Sequence, residues 1–152
     1  MLTDFHTHIF PDKMADKTIK LLESNIKEEY RPHKAELRGT LDALKQSMRE
    51  NNVDISLVLP IATNVKQSTT INNFAASING TDGIYSLGSL HPMQSDWESV
   101  LYDIKEKGLK GIKLHPEYQQ FYIDSKESIQ ILKKCEEFDL ITVLHSGKDI
   151  GI

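Results

Sequence analysis

The sequence predicts an α/β fold in which strand–helix units repeat along a parallel sheet, and three observations predict it. Five short apolar runs recur at regular spacing, with no hairpin signal between them. The segments separating them carry apolar residues at helical spacing. Four of the five runs end in histidine, always at the same end of the repeating unit. Right-handed crossovers turn such an order into either an open doubly wound sheet or a barrel.

The first strand runs from Leu2 to Phe10 and stops at Pro11. Asp12 to Glu29 reads as a helix, with Met14, Ile19, Leu22 and Ile26 on its apolar side. Tyr30-Arg31-Pro32-His33 breaks it, and His33 reads as a surface residue. Thr40 caps a second helix carrying Leu41, Leu44 and Met48, which Asn51-Asn52 ends. Asp54 to Pro60 is the second strand. Its near-continuous apolar run suits a parallel strand covered on both faces.

A helix over about Lys66 to Ile78 stops at Asn79-Gly80. Ile84 to Leu90 is the third strand, closed by His91-Pro92. Trp97, Val100, Leu101 and Ile104 mark the next helix, with Asp96 as its cap and Gly108 beyond its end. Leu109 to His115 is the fourth strand, closed by Pro116. Asp124 or Ser125 caps a helix through Phe138, with Ile129, Leu132 and Cys135 on one face. Leu140 to His145 is the fifth strand, followed by Ser146-Gly147. No linker divides residues 1–152, which read as one domain.

Composition narrows the function classes. A net charge of −4 and a pI near 5.8 leave no basic footprint for nucleic acid. No apolar run approaches the roughly 18 residues of a membrane span, and Met1-Leu2-Thr3-Asp4 lacks the basic start of a signal peptide. The single Cys135 excludes an intramolecular disulfide and fits a reducing compartment, so a cytoplasmic location is expected. Cys135 itself reads as a small apolar filler on a helix.

The strand tips carry the chemistry. On a strand, side chains alternate between faces, so His6 and His8 point the same way. Two imidazoles so placed can reach one divalent ion, which in a catalytic zinc site takes about three protein ligands and keeps one open position. Gly111, Lys113 and His115 share one face of the fourth strand, and Ile112 and Leu114 share the other. Lysine is almost never buried unpaired, so an internal ion pair competes with a functional role for Lys113. His145 stands at the tip of the fifth strand, on the face of Ile141 and Val143. In parallel α/β folds, catalytic groups gather at the carboxyl ends of the strands.

The chain resembles the amidohydrolase superfamily of metal-dependent hydrolases, in particular its amidohydrolase-related (ACMSD-like) branch. The matching pieces are Asp4-Phe5-His6-Thr7-His8, Gly88-Ser89-Leu90-His91-Pro92, Gly111-Ile112-Lys113-Leu114-His115-Pro116 with Gln119 and Phe121, and Val143-Leu144-His145-Ser146-Gly147. The resemblance implies a (β/α)8 TIM barrel with a metal centre at its carboxyl mouth. It implies His6, His8 and His145 as metal ligands, and a divalent metal, zinc first, as cofactor. A barrel of this kind takes about 250 residues. Five strands therefore read as an incomplete barrel, and the resemblance's sixth-strand histidine and eighth-strand aspartate have no counterpart here.

The expected function is hydrolysis of a small molecule by metal-activated water, with decarboxylation as a variation. His115 and Lys113 are the expected catalytic groups, and with His91 they are expected to bind substrate. In some members of the superfamily a lysine on this strand is carbamylated and bridges two metals. Lys113 as a plain cation facing a substrate carboxylate is the preferred role. A TatD-like or PHP-like phosphoesterase or nuclease, and a non-catalytic barrel fragment, are the alternative readings. Open first and last strands predict a homo-oligomer; no membrane or nucleic-acid partner is expected.

Overall fold

A computed structural model describes residues 1–26 and 34–147. In chain order it places β1 (Thr3–Thr7), α1 (Asp12–Asn25), α2 (Leu41–Glu50), β2 (Ile55–Val58), α3 (Ser68–Ile78) and β3 (Ile84–Ser86). Then follow β4 (Gly88–Ser89), α4 (Trp97–Glu106), β5 (Gly111–Leu114), α5 (Pro116–Gln119), α6 (Lys126–Glu137) and β6 (Ile141–Leu144). Every strand pairing is parallel, in the orders β1-β2-β3 and β4-β5-β6. The repeating strand–helix order is therefore present as expected. The described strands form an open parallel wall and do not close into a barrel.

The third strand corrects the sequence reading. The run from Ile84 to Leu90 is not one strand but two, β3 and β4, separated at Leu87. Its first half pairs with β2 and its second with β5. Leu87 N donates to Val58 O at 3.1 Å across the break. Gly88 is the physical reason: a Cβ there would lie 2.8 Å from Ile104 of α4. The helix presses on a backbone that has no side chain, and the chain changes pairing partner as the sheet turns.

The helices form where apolar spacing and caps agree. The Thr40 hydroxyl accepts from Ala43 N at 3.2 Å, and Leu44 and Met48 of α2 are buried. Ser125, rather than Asp124, caps α6 by accepting from Ser128 N at 3.3 Å. The buried face of α6 carries Ser128, Ile131 and Cys135, whereas Ile129 is 40% exposed. The expected face was thus rotated by about one residue: Cys135 was placed correctly, Ile129 was not. α1 is a weaker amphipath than expected, with Met14 exposed and Ala15 its one buried residue. It ends at Asn25; the remainder of the helix expected to Glu29, the break after it and His33 lie outside the described residues. The one-turn α5 was not expected. Pro116 sits at its first position, His115 caps it, and Gln120 ends it with a positive φ of 52°.

Two apolar clusters lie between strands and helices. Ile112 and Leu114 of β5 pack with Val100, Leu101 and Ile104 of α4 and Ile131 of α6. Val58 and Ile84 pack with Leu44 and Met48 of α2 and Ile78 of α3. Gly111 is needed because a Cβ there would lie 2.1 Å from Ile141 O on the neighbouring strand. Gly111→Ala is expected to destabilise the chain by about 1–3 kcal/mol, read as a lower Tm, by forcing β5 and β6 apart. The outer strands are exposed where a further neighbour would cover them: Phe5 on β1 is 72% exposed and Ile141 on β6 is 62%. No described helix is long and apolar enough to cross a membrane.

Candidate metal and substrate site

The site builds up from the carboxyl ends of β1, β5 and β6. β1 ends at Thr7, so His8 stands just beyond the strand, and the register with β2 shifts between Asp4 and Thr7. The two imidazoles nonetheless converge: His6 Nε2 and His8 Nε2 are 3.1 Å apart. Two ligands of a tetrahedral zinc at about 2.0–2.1 Å would stand roughly 3.3 Å apart, so the pair already has close to ligand spacing.

The tautomers suit that role. His8 Nδ1 donates to Leu59 O at 2.7 Å, which leaves the Nε2 lone pair of His8 pointing at His6. A backbone carbonyl behind the ring orients an imidazole ligand in the same way at many metal centres. The hydrogen bond between the two Nε2 atoms needs a proton on His6 Nε2. A divalent cation would take that proton's place.

β5 supplies the floor. Ile112 and Leu114 turn toward the helices, and Lys113 and His115 turn inward, as the alternation predicts. Lys113 is 0% exposed, and its Nζ has no hydrogen-bond partner among the described residues. The competing reading, an internal ion pair, is therefore not found among them. Burial pushes the Lys113 amine below the ordinary lysine range. Lys113 and His145 also act on the β1 pair. His6 is held below the usual histidine value by burial first, then by Lys113 and His145, with Asp4 pulling the other way. His8 is lowered by burial first; its bond to Leu59 O opposes this, and His6, Lys113 and His145 add to the lowering. The four groups thus lie close enough to act on one another electrostatically.

His115 and His145 meet directly. Their rings stack at 3.9 Å between centroids with 10° between planes, and Tyr118 stacks on the other side of His115 at 4.2 Å and 17°. His115 Nδ1 accepts from Tyr118 N at 3.3 Å, which places the ring proton on Nε2. His145 Nε2 is buried without a partner among the described residues. His91 does not join this group. It follows β4, its Nδ1 accepts from Met93 N at 3.2 Å, and burial is the one cause that lowers it.

The residues fit a divalent metal in three respects: a preorganised imidazole pair, a carbonyl that fixes one tautomer, and an orphaned imidazole nitrogen, His145 Nε2, just beyond β6. They do not yet form a closed ligand set. Among the described residues no three His, Cys, Asp or Glu side chains stand together closely enough to hold an ion.

Sequence reasoning passed over the buried polar groups behind the site. Ser89 Oγ accepts from Ala62 N at 3.0 Å and donates to Lys113 O at 2.9 Å. Asn72 grips Ser89 at both its N–H and its carbonyl. Gln119 was legible as part of a motif but carried no role. These residues point to no chemistry by type, and only the fold brings them to the strand tips.

No family model matches the chain, and no curated protein matches it in sequence. Solved structures match it in fold. An amidohydrolase II structure covers 99% of this chain with a TM-score of 0.71 at 17% identity. The 5-carboxyvanillate decarboxylase LigW of Sphingomonas paucimobilis covers 95% with a TM-score of 0.69 at 16% identity. The 5-carboxyvanillate decarboxylase of Novosphingobium aromaticivorans, solved with manganese and 4-hydroxy-3-methoxy-5-nitrobenzoic acid, covers 95% with a TM-score of 0.67 at 15% identity. The chain spans about half of each of these proteins, 52%, 51% and 50% in turn. It has the fold of amidohydrolase-type proteins over that half.

Proposed function

We propose that this chain is the metal-binding wall of an amidohydrolase-type, metal-dependent enzyme acting on a small molecule. The observation that carries the reading is the His6–His8 pair, whose Nε2 atoms stand 3.1 Å apart at the carboxyl end of β1. Solved proteins of this fold include both hydrolases and decarboxylases by their names, and one holds manganese, which supports a divalent metal in either chemistry.

His6 and His8 would hold the ion, with His145 as the third ligand. Zinc suits the all-imidazole set, and manganese is the ion seen in a relative of this fold. A bound ion supplies a Lewis acid and lowers the pKa of water to about 7. The chain's own residues do the rest. The Leu59 carbonyl keeps the His8 lone pair turned to the ion. The Lys113 amine, buried and without a partner among the described residues, binds a carboxylate or other anionic group of the substrate. His115, with its proton held on Nε2, donates a hydrogen bond to oxygen charge that develops on the substrate. Helices on the outer side keep water from the back of β5. His91 would act at most at the rim.

Elemental analysis tests the reading. Protein purified without chelator should hold one equivalent of divalent metal, and His6→Ala/His8→Ala should hold none. Equal metal in both removes the assignment. Binding needs neutral imidazoles. Because His6 and His8 are held below the ordinary value of 6.5, metal should stay bound somewhat below that pH and be released on further acidification. The same shifts make the metal-free fold acid-sensitive. Their contribution to stability is in place above about pH 6.5 and is lost as pH falls through the depressed folded-state values.

A further inference from the structure

We propose that Gln119 is a positioning residue: its side-chain amide clasps the tips of β2, β4 and β5 and thereby fixes the His115 ring. The inference rests on the reading of those tips as the site, and its test is independent of metal. Gln119 is 2% exposed. Its Oε1 accepts from His115 N at 2.8 Å, and its Nε2 donates to Ala62 O and to Leu90 O, both at 2.8 Å. Both amide hydrogens are therefore used, and the three partners are backbone groups following β2, β4 and β5.

The grip on His115 is closed from both sides. Gln119 N donates to His115 O at 2.9 Å while the Gln119 side chain takes the His115 N–H. One residue thus holds both polar backbone groups of His115, and Tyr118 N holds its Nδ1. Ala62 is held likewise from two directions, its carbonyl by Gln119 and its N–H by Ser89 Oγ, which also bonds Lys113 O. Lys113 and His115 are therefore tied through Ala62 into one network.

Replacing the buried amide by an apolar side chain would leave one N–H and two carbonyls without their partner, and each group left unsatisfied costs its desolvation. What the amide adds is directional. Only a group with one acceptor and two donors can satisfy an N–H and two carbonyls that converge from three strands. Loss of the clasp frees the short α5 to shift, and the ring that caps it moves with it.

The test is histidine imidazole NMR of the metal-free 152-residue chain. Wild type should show His115 as a single Nε2–H tautomer. Gln119→Met, similar in size but unable to bond, should show both tautomers of His115 at a temperature well below its melting. Ile131→Ala, which weakens the core under α6, serves as the control for lost stability and should leave the single tautomer in place. If Gln119→Met does not fold, Gln119→Asn, which keeps the amide one methylene short, is read in its place with the same expectation. An unchanged His115 signature in the Gln119 variant overturns the proposal. So does a control in which Ile131→Ala disturbs the tautomer equally. Loss of metal binding in wild type would remove the site reading and leave the clasp standing.

Discussion

Lys113→Met should melt higher than the wild-type chain. The wild-type amine is fully enclosed, and its Nζ has no partner among the described residues. Leaving such a group unsatisfied costs about 1–3 kcal/mol, and at this chain length each kcal/mol moves Tm by about 2–4 °C. A methionine keeps the volume and the unbranched stem and removes the charge. The expected gain is therefore roughly 2–12 °C at neutral pH. The sign follows from the lysine's lowered pKa. The folded state resists protonation there, so Lys113 weakens the fold increasingly as pH falls from the unfolded value toward the folded one. Raising the pH toward 10 should narrow the gap between variant and wild type. The same substitution should abolish binding of an anionic substrate group, if Lys113 has the role proposed for it. A lower Tm for Lys113→Met would show that the amine is paired and structural.

The second large effect concerns the open edges. Among the described residues β1 and β6 each have one hydrogen-bonded neighbour, and each presents an apolar side chain that is more than half exposed, Phe5 and Ile141. Unpaired strand edges of this kind recruit other chains. The 152-residue chain alone is expected to associate at micromolar concentration and to show little or no hydrolase activity. Phe5→Lys with Ile141→Lys should shift light scattering toward monomer, since edge charges oppose strand pairing. A stable, active wild-type monomer would show that the edges are covered by some other means.

Much of the fold was legible because it rests on local pattern. Leu41, Leu44 and Met48 gave α2 its inner face, and Trp97, Val100, Leu101 and Ile104 did so for α4. The alternation in Gly-Ile-Lys-Leu-His separated a core face from a site face on β5. What was not legible depends on contacts made across the chain. The break at Leu87 comes from α4 pressing on Gly88, and no feature of residues 84–90 alone announces it. The rotated face of α6 shows the limit of periodicity in a helix where Ile129 and Ile131 compete for one core.

The site divides in the same way. His6, His8, Lys113, His115 and His145 stood out because histidine and lysine at strand tips are unusual in an apolar sheet. The structure brings these five to one face and leaves His91 in the loop after β4. Ser89 and Gln119 lay in quoted motifs without a role and Asn72 in none, because uncharged polar residues are common in loops and helices. Their importance lies in which backbone groups they reach, and that is a property of the fold.

We propose that one metal ion is held between the tips of β1 and β6. Calorimetric titration of the metal-free chain with zinc and with manganese tests it most directly, using wild type, His6→Ala/His8→Ala and His145→Ala. One ion should bind per wild-type chain and none to the double variant. His145→Ala should bind more weakly by more than the roughly tenfold cost of losing an outer-shell partner. Equal stoichiometry and affinity in all three proteins would rule out a metal site between β1 and β6.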